Sequence, residues 1–315
     1  MSSAVEHAAA ALGPLARRAV PLGPMTTYRV GGSAALFVRA DSLADLRAVA
    51  EAVQVSAVPV LVVGRGSNLL VADAGFAGLV VALGDIGAEL EIDELDVVAG
   101  AGVLLPVLAR RTAAASLTGL EWAVGVPGSV GGAVRMNAGG HGSDIAATLE
   151  TVDIIDLGTG AEEVCVPAAR LGLRFRGSSL GDLQVVVRAR LRLRRGDRAA
   201  SEQEIADIVR WRREHQPGGQ NAGSVFVNPI PGQLAAGELV DGLGLRGFRI
   251  GTAHVSAKHA NFIQADDGGT AADVRAVIEH VRARVAAERG VTLRSEVRLV
   301  GFPDSPPPTP GIELR

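Results

Sequence analysis

Residues 63–70 read VGRGSNLL, two glycines and a Ser-Asn pair set directly after the apolar run VPVLVV (58–63). A short strand followed by such a loop is a common opening for a nucleotide site, and the fold depends on what comes next. A dinucleotide fingerprint of the Rossmann kind needs G-x-G-x-x-G at the start of a helix, because the pyrophosphate rests on the helix N-terminus. Here Leu69 holds the third glycine position. The following LLVADAGFAGLVVALG (69–84) spaces Gly and Asp as strands and turns do and shows no 3.6-residue stripe. The loop therefore leads into strands, and the Rossmann reading fails twice. A P-loop is excluded too, since no G-x-x-x-x-G-K-[ST] occurs and the one lysine, Lys258, lies far along the chain.

Working outward, SLADLRAVAEAV (42–53) places Leu43, Leu46, Val49, Ala50 and Val53 at helical spacing behind Ser42 as N-cap. With VPVLVVG it forms an αβ unit over 20–85. A second unit, 86–198, is predicted to open with two short strands around ELDVV (94–98). It continues through a helix in VLLPVLARRTAAAS (103–116) and enters the glycine-rich run EWAVGVPGSVGGAVRMNAGG (121–140). Its strand VVVRARLRLR (185–194) alternates, with Val187, Ala189, Leu191 and Leu193 on one face and arginines on the other, a face expected to be solvated. A third unit, 199–302, starts at SEQEIADIVRWRREHQ, where Ser201 and Glu204 have capping-box spacing. It ends with a helix capped by Thr270 and stopped by Gly290. The tail, 303–315, is proline-rich and expected to be mobile.

The 315 residues, 48% of them hydrophobic, are enough for two or three real cores. A formal charge of −3 gives no broad electrostatic reason to bind nucleic acid or an anionic membrane, so the expected partner is small. Cys165 is the only cysteine, with no His or Cys spacing around it that suggests a metal. Near the N-terminus Glu6 precedes the apolar stretch and Arg17 and Arg18 follow it, the reverse of a secretory signal, and no apolar run reaches spanning length. A soluble cytoplasmic protein is expected.

Two loops, GRGSN (64–68) and VPGSVGG (126–132), both pair glycine with serine after apolar segments. Exposed backbone N–H groups, close approach and hydroxyl donors are what a diphosphate needs, and two such loops together point to a dinucleotide.

Six strings now fall in order: TTYRVGG, VVGRGSNLLVADAGFAGLV, GVPGSVGGAVRMNAGGHG, NAGSVFVNP, GLRGFRIGTAHVSAKHANFI and EVRLVGF. On these the chain resembles the UDP-N-acetylenolpyruvoylglucosamine reductase family, also called UDP-N-acetylmuramate dehydrogenases, over about residues 20–302. The resemblance implies an α+β flavoenzyme of peptidoglycan precursor synthesis. FAD would lie between two α+β subdomains of the vanillyl-alcohol-oxidase (PCMH) kind, with a C-terminal α+β domain over the nucleotide sugar. It implies FAD contacts at Gly64, Gly66, Ser67, Asn68, Gly125, Gly128 and Ser129, with the phosphates cradled in strand-linking loops. NADPH would be the hydride donor and a UDP-sugar the substrate. By motif, Ser224 would give the proton, Arg176 and Glu296 would flank the developing enol, and Asn228 would touch substrate.

Taken without the family, Ser224 could satisfy a turn, Arg176 could be one more surface arginine, and Glu296 could belong to a solvated salt-bridge face with Arg294 and Arg298. The family's shorter subclass fits best, because FRGSSLGD runs quickly into the next strand and the only tyrosine is Tyr28. Departures from the family pattern are Val227 for a basic residue, His215 for a Lys, Gly177 for an Asp and Arg65 for a Gly. They put the diphosphate contacts in question. Two other classes remain open at this point. One is an FAD oxidase or dehydrogenase of another sugar or hydroxy acid, and the other is a non-catalytic nucleotide-sugar-binding protein.

Overall fold

Short β-branched runs form the first sheet of the computed structural model, which describes residues 3–303 and 309–314. Its strands lie in the order Arg17–Pro21, Ser33–Ala40, Phe76–Leu83, Val60–Val63, and the last three run parallel. The helix Leu43–Ser56 covers one face. Ser42 accepts from the Asp45 N–H while the Asp45 carboxylate accepts from the Ser42 N–H, so a full capping box starts the helix. Its buried stripe Leu46, Val49, Ala50 and Val53 packs on Leu36, Val38, Leu79 and Val81, with the helix Ser3–Leu12 adding Val5, Ala8 and Leu12. As expected, no helix follows GRGSN. Instead Leu69–Val71 leaves the sheet and pairs in parallel with Arg298–Val300 near the other end of the chain.

The second unit is a five-stranded antiparallel sheet in the order Gly160–Pro167, Leu149–Asp156, Gln184–Arg192, Asp96–Gly100, Leu90–Asp93. The arginine face of its central strand is open to solvent at Arg190 and Arg192, as expected, and also carries a row of ion pairs. Arg188 meets Asp153 and Glu163 at 3.0 and 2.8 Å, Arg190 meets Asp153 at 3.3 Å, and Arg192 meets Asp96 at 2.5 Å. The helix Arg198–His215 belongs with this unit, because Ile205 and Ile208 enter its core. The N-cap of the helix is Asp197, which accepts from the Ala200 N–H at 2.8 Å. The Ser201–Glu204 capping box does not form, since Ser201 is buried and donates to Glu121 at 2.6 Å.

In the third unit the helix Ala271–Arg289 has Thr270 as its cap and left-handed Gly290 as its stop, and Val274, Val277, Ile278, Val281 and Val285 are all buried. They cover the three-stranded sheet Arg249–Ile250, Ala253–Val255, Ile263–Ala265. The same core takes in Tyr28, Val30 and Leu70 from the first unit, which is how the Leu69–Arg298 strand pair is welded in. Lys258 reaches the Arg213 carbonyl near the end of the helix Arg198–His215, where a cation suits the negative end of the helix dipole.

Within the proline-rich tail, residues 309–314 make defined contacts with the second unit. Thr309 exchanges hydrogen bonds with Asp182, its N–H donating to the carboxylate at 3.2 Å. The Gln184 side chain donates to the Ile312 carbonyl and accepts from the Ile312 N–H. Ile312 and Leu314 pack on the second core. Residues 304–308 and 315 lie outside the described residues.

Candidate active site

Two adjoining clefts of about 580 and 530 Å³ run between the units. Gly64, Arg65, Ser129, Gly132, Arg135 and Arg298 border both. The first loop bends at Gly66, whose φ of +56° is left-handed, and a Cβ there would stand 2.3 Å from the Met25 carbonyl oxygen. Only glycine turns the chain in that space. A Cβ on Gly64 would meet Ser129 Oγ at 2.5 Å, and one on Gly128 would meet Ser67 Oγ at 3.6 Å. GRGSN and VPGSVGG thus face each other across a gap kept narrow by missing side chains.

The second loop is not purely strand-linking, because it opens the short helix Val130–Met136. The first two N–H groups of that helix are already bonded, to Val103 and Ala101 carbonyls. Helix-end anion binding is therefore not the main resource, and hydroxyls and guanidinium groups are. Arg135 and Arg298 share one carboxylate, Asp182, at 2.7 and 2.8 Å. Together with Arg65 they put three cations and one anion at the junction of the clefts, where a diphosphate would be held. The sequence reading passed over Arg135 and Arg298, although spacing marks both. Arg135 is one helical turn beyond Gly131 and Gly132, and Arg298 opens a strand two residues beyond Glu296.

All the predicted flavin-loop residues line the larger cleft, as do Arg176, Ser224 and Glu296. Their local roles differ from one another. The Asn68 side chain donates to the Glu296 carbonyl at 2.9 Å, and the Asn68 backbone carbonyl accepts from the Arg298 N–H at 2.9 Å, so it aligns the segment that runs from Glu296 into the strand Arg298–Val300. A Cβ on Gly125 would press on Arg212 and Ile208 at 3.2 and 3.3 Å, so this glycine lets a helix come close. Asn228 has a different setting. It is exposed, its side-chain oxygen accepts from the Ala236 N–H at 3.0 Å, and it does not border the cleft. Its carbonyl side is taken up by a turn.

Arg176 sits in the tight turn Arg174–Gly177 with φ of +56°, a strained value for a residue with a side chain. That turn is tied down by Asn137, whose amide donates to the Arg174 carbonyl at 3.3 Å. The Arg176 guanidinium donates to Glu296 at 3.1 Å and to the Gly139 carbonyl at 3.1 Å. Glu296 is not on a solvated face, because its side chain is only 14% exposed. Burial pushes its carboxyl above the ordinary value, opposed by Arg176 and Arg294.

Ser224 precedes a short ladder in which the Glu296 N–H donates to the Val225 carbonyl at 2.7 Å and the Val227 N–H to the Arg294 carbonyl at 3.0 Å. Serine and glutamate are therefore held by the same backbone pairing. Asn261, from the VSAKHANF string, fixes that pairing by accepting from the Phe226 N–H and donating to the Phe226 carbonyl, at 2.9 and 2.8 Å. The sequence reading missed Asn261. His259 beside it accepts from the Asn261 N–H at 3.2 Å, a structural role.

The donor set fits a flavin dinucleotide. A Cβ on Gly132 would find only Ser129 Oγ, at 3.7 Å, so that wall stays open toward the junction of the clefts. Residues 34–165 match the family described as "FAD binding domain". Residues 215–300 match "UDP-N-acetylenolpyruvoylglucosamine reductase, C-terminal domain". The chain is 44% identical over 286 residues to UDP-N-acetylenolpyruvoylglucosamine reductase of Heliobacterium modesticaldum, covering 89% of each chain. It is 42% identical to the Synechococcus enzyme of that name, covering 90% of this chain and 94% of the relative. Among solved structures, UDP-N-acetylenolpyruvylglucosamine reductase (MurB) from Thermus caldophilus is similar at a TM-score of 0.78 and 34% identity, over 90% of this chain and 99% of that one. With identity of this order running nearly end to end, this chain belongs to the UDP-N-acetylenolpyruvoylglucosamine reductase family.

Proposed function

We propose that the chain reduces the enolpyruvyl ether of UDP-N-acetylenolpyruvoylglucosamine to UDP-N-acetylmuramate, with NADPH as the reductant. Bound FAD supplies a ring that accepts hydride from one ligand and passes it to the other. Gly64, Ser67, Ser129 and Gly132 would line its diphosphate, with Arg65, Arg135 and Arg298 as counter-charges. The observation that carries the reading is the convergence of Ser224, Arg176 and Glu296 on the cleft those loops border.

The chain's own groups divide the remaining chemistry. Hydride addition to one alkene carbon leaves negative charge on the other, conjugated with the substrate carboxylate. The Arg176 guanidinium, held by Glu296 and Gly139, is placed to stabilise that charge before it forms. The Ser224 hydroxyl gives its proton to the carbanionic carbon, completing addition of H⁻ and H⁺ across the double bond. Glu296, whose carboxyl burial pushes above the ordinary value, keeps its proton to higher pH than an exposed glutamate and so supports the acid side of the site. Asn228 takes no part in this reading. Cytoplasmic residence goes with the supply of NADPH, and among the described residues no helix is long and apolar enough to cross a membrane.

Purified protein is expected to be yellow and to oxidise NADPH in steady state only when UDP-N-acetylenolpyruvoylglucosamine is present. Rapid NADPH oxidation driven by oxygen alone, indifferent to that substrate, would overturn the assignment.

A further inference from the structure

The chain has two tryptophans. Trp122 is buried at 3% exposure, whereas Trp211 keeps 43% of its surface open on the wall of the larger cleft. An exposed indole usually has rotamer freedom, yet this one is braced. The His215 ring, one helical turn on, lies parallel to it with centroids 4.8 Å apart and 15° between planes. His215 is itself fixed by a 2.8 Å contact between Nδ1 and the Trp211 carbonyl oxygen. The His141 ring meets the indole at 5.2 Å and 88°, from a backbone held at φ +50° just beyond Gly139–Gly140. Gly139 is the residue whose carbonyl receives Arg176, so the braced indole stands beside the reacting end of the cleft. Arg212, next in sequence, lines the same cleft. It is half-buried, and among the described residues no carboxylate pairs with it.

We propose that Trp211 is a stacking platform for the heteroaromatic ring of a nucleoside diphosphate, with Arg212 beside it as a counter-charge for the phosphates. A flat, preorganised ring gives base-stacking energy at little entropic cost, and the cation next to it matches the anion such a ring carries. Because the platform is open to solvent, it suits a ligand that arrives and leaves in each turnover better than a resident cofactor. Both the dinucleotide reductant and the nucleotide sugar carry this chemistry. The proposal rests on the function assigned above, under which the two ligands use one cleft in turn.

The test uses holoenzyme and compares Trp211→Ala, Trp211→Phe and His215→Ala with wild type. KM for NADPH is read from flavin reduction, and KM for the UDP-sugar from flavin reoxidation. Stacking of one base is worth roughly 5- to 150-fold in affinity, so Trp211→Ala is expected to raise at least one KM about tenfold or more while kcat and flavin content hold. Trp211→Phe should recover most of the loss, and His215→Ala, which frees the indole, should give a smaller rise. A rise for NADPH alone assigns the reductant's ring, a rise for the UDP-sugar alone assigns uracil, and a rise for both means that the rings alternate. Both KM values within twofold of wild type would overturn the proposal, as would loss of flavin with both KM values intact. Should Trp211→Ala not accumulate as folded holoenzyme, Trp211→Leu is read in the same assays. Absence of turnover in the wild type would instead refute the assigned function, and calorimetric titration of wild type and Trp211→Ala with UDP alone would still decide the platform.

Discussion

Gly132 offers a clean test of the flavin cradle, because protein and ligand make opposite demands on it. It is the third residue of the helix Val130–Met136, and a Cβ there would meet only Ser129 Oγ at an ordinary 3.7 Å. From the fold's side a side chain is welcome, since replacing helical Gly by Ala is worth about 0.5–1 kcal/mol, with valine gaining less. For a chain of 315 residues that corresponds to about 1–2 °C in Tm. From the ligand's side the same space is the junction of the two clefts, and the three carbons of valine would occupy it. We expect Gly132→Val to leave the flavin-free protein as stable as wild type or slightly more so. FAD affinity should weaken at least a hundredfold, about 2.8 kcal/mol.

The assay is flavin absorbance after gel filtration, followed by thermal melts of flavin-free protein with and without added FAD. Wild type should gain stability from FAD by mass action, about 2.7 kcal/mol at a hundredfold excess over Kd, and the variant should gain little at the same concentration. Gly131 is the contrast, because its Cβ would lie 2.8 Å from the Ala101 Cβ, and valine there should damage the fold itself. Retention of stoichiometric FAD by Gly132→Val would refute the cradle. A loss of several kcal/mol in the flavin-free variant would refute the claim that the space is open.

Other consequences can be checked separately. Ser224→Ala should leave flavin reduction by NADPH nearly intact and slow the substrate half-reaction by ~10²-fold or more in stopped flow, and equal slowing of both halves would remove Ser224 from proton delivery. The Glu296 carboxyl is raised in the folded state, so its contribution to stability is present below the ordinary glutamate value and lost as pH rises through the folded one. Urea melts of wild type against Glu296→Gln should therefore show the wild type losing ground between those two values and a constant difference above them. A difference that is flat throughout, or that grows in favour of wild type, would contradict the burial argument. A Cβ on Gly311 would lie 2.3 Å from the Gln184 side chain, so Gly311→Val should free the docked tail at a cost of about 1–3 kcal/mol. Unchanged hydrogen exchange at the start of the Gln184–Arg192 strand would count against that docking.

Local chemistry was legible at most helix ends, though not at Ser201, which is drawn to Glu121 instead of capping. Leu69 in place of glycine ruled out a helix after GRGSN, and the chain does run into strands there. Ser42, Thr270 and Gly290 cap and stop helices as their side chains dictate, because these are contacts within four residues. Apolar stripes named the buried faces for the same reason. The six ordered strings also carried the family, which local physics could not have supplied.

Partnership between distant residues was decided only in three dimensions. Arg176 and Glu296 are 120 positions apart and meet at 3.1 Å, yet each alone reads as a surface charge. Asn261 serves Phe226 from 35 positions away, Ser201 serves Glu121 from 80, and the tail binds Gln184 across 128. A side chain's ionisation, its exposure and its choice of partner follow from what the rest of the chain packs against it. Pattern reading sees spacing along one element, so it could place Glu296 on a strand face but could not say whether that face would meet water or a guanidinium.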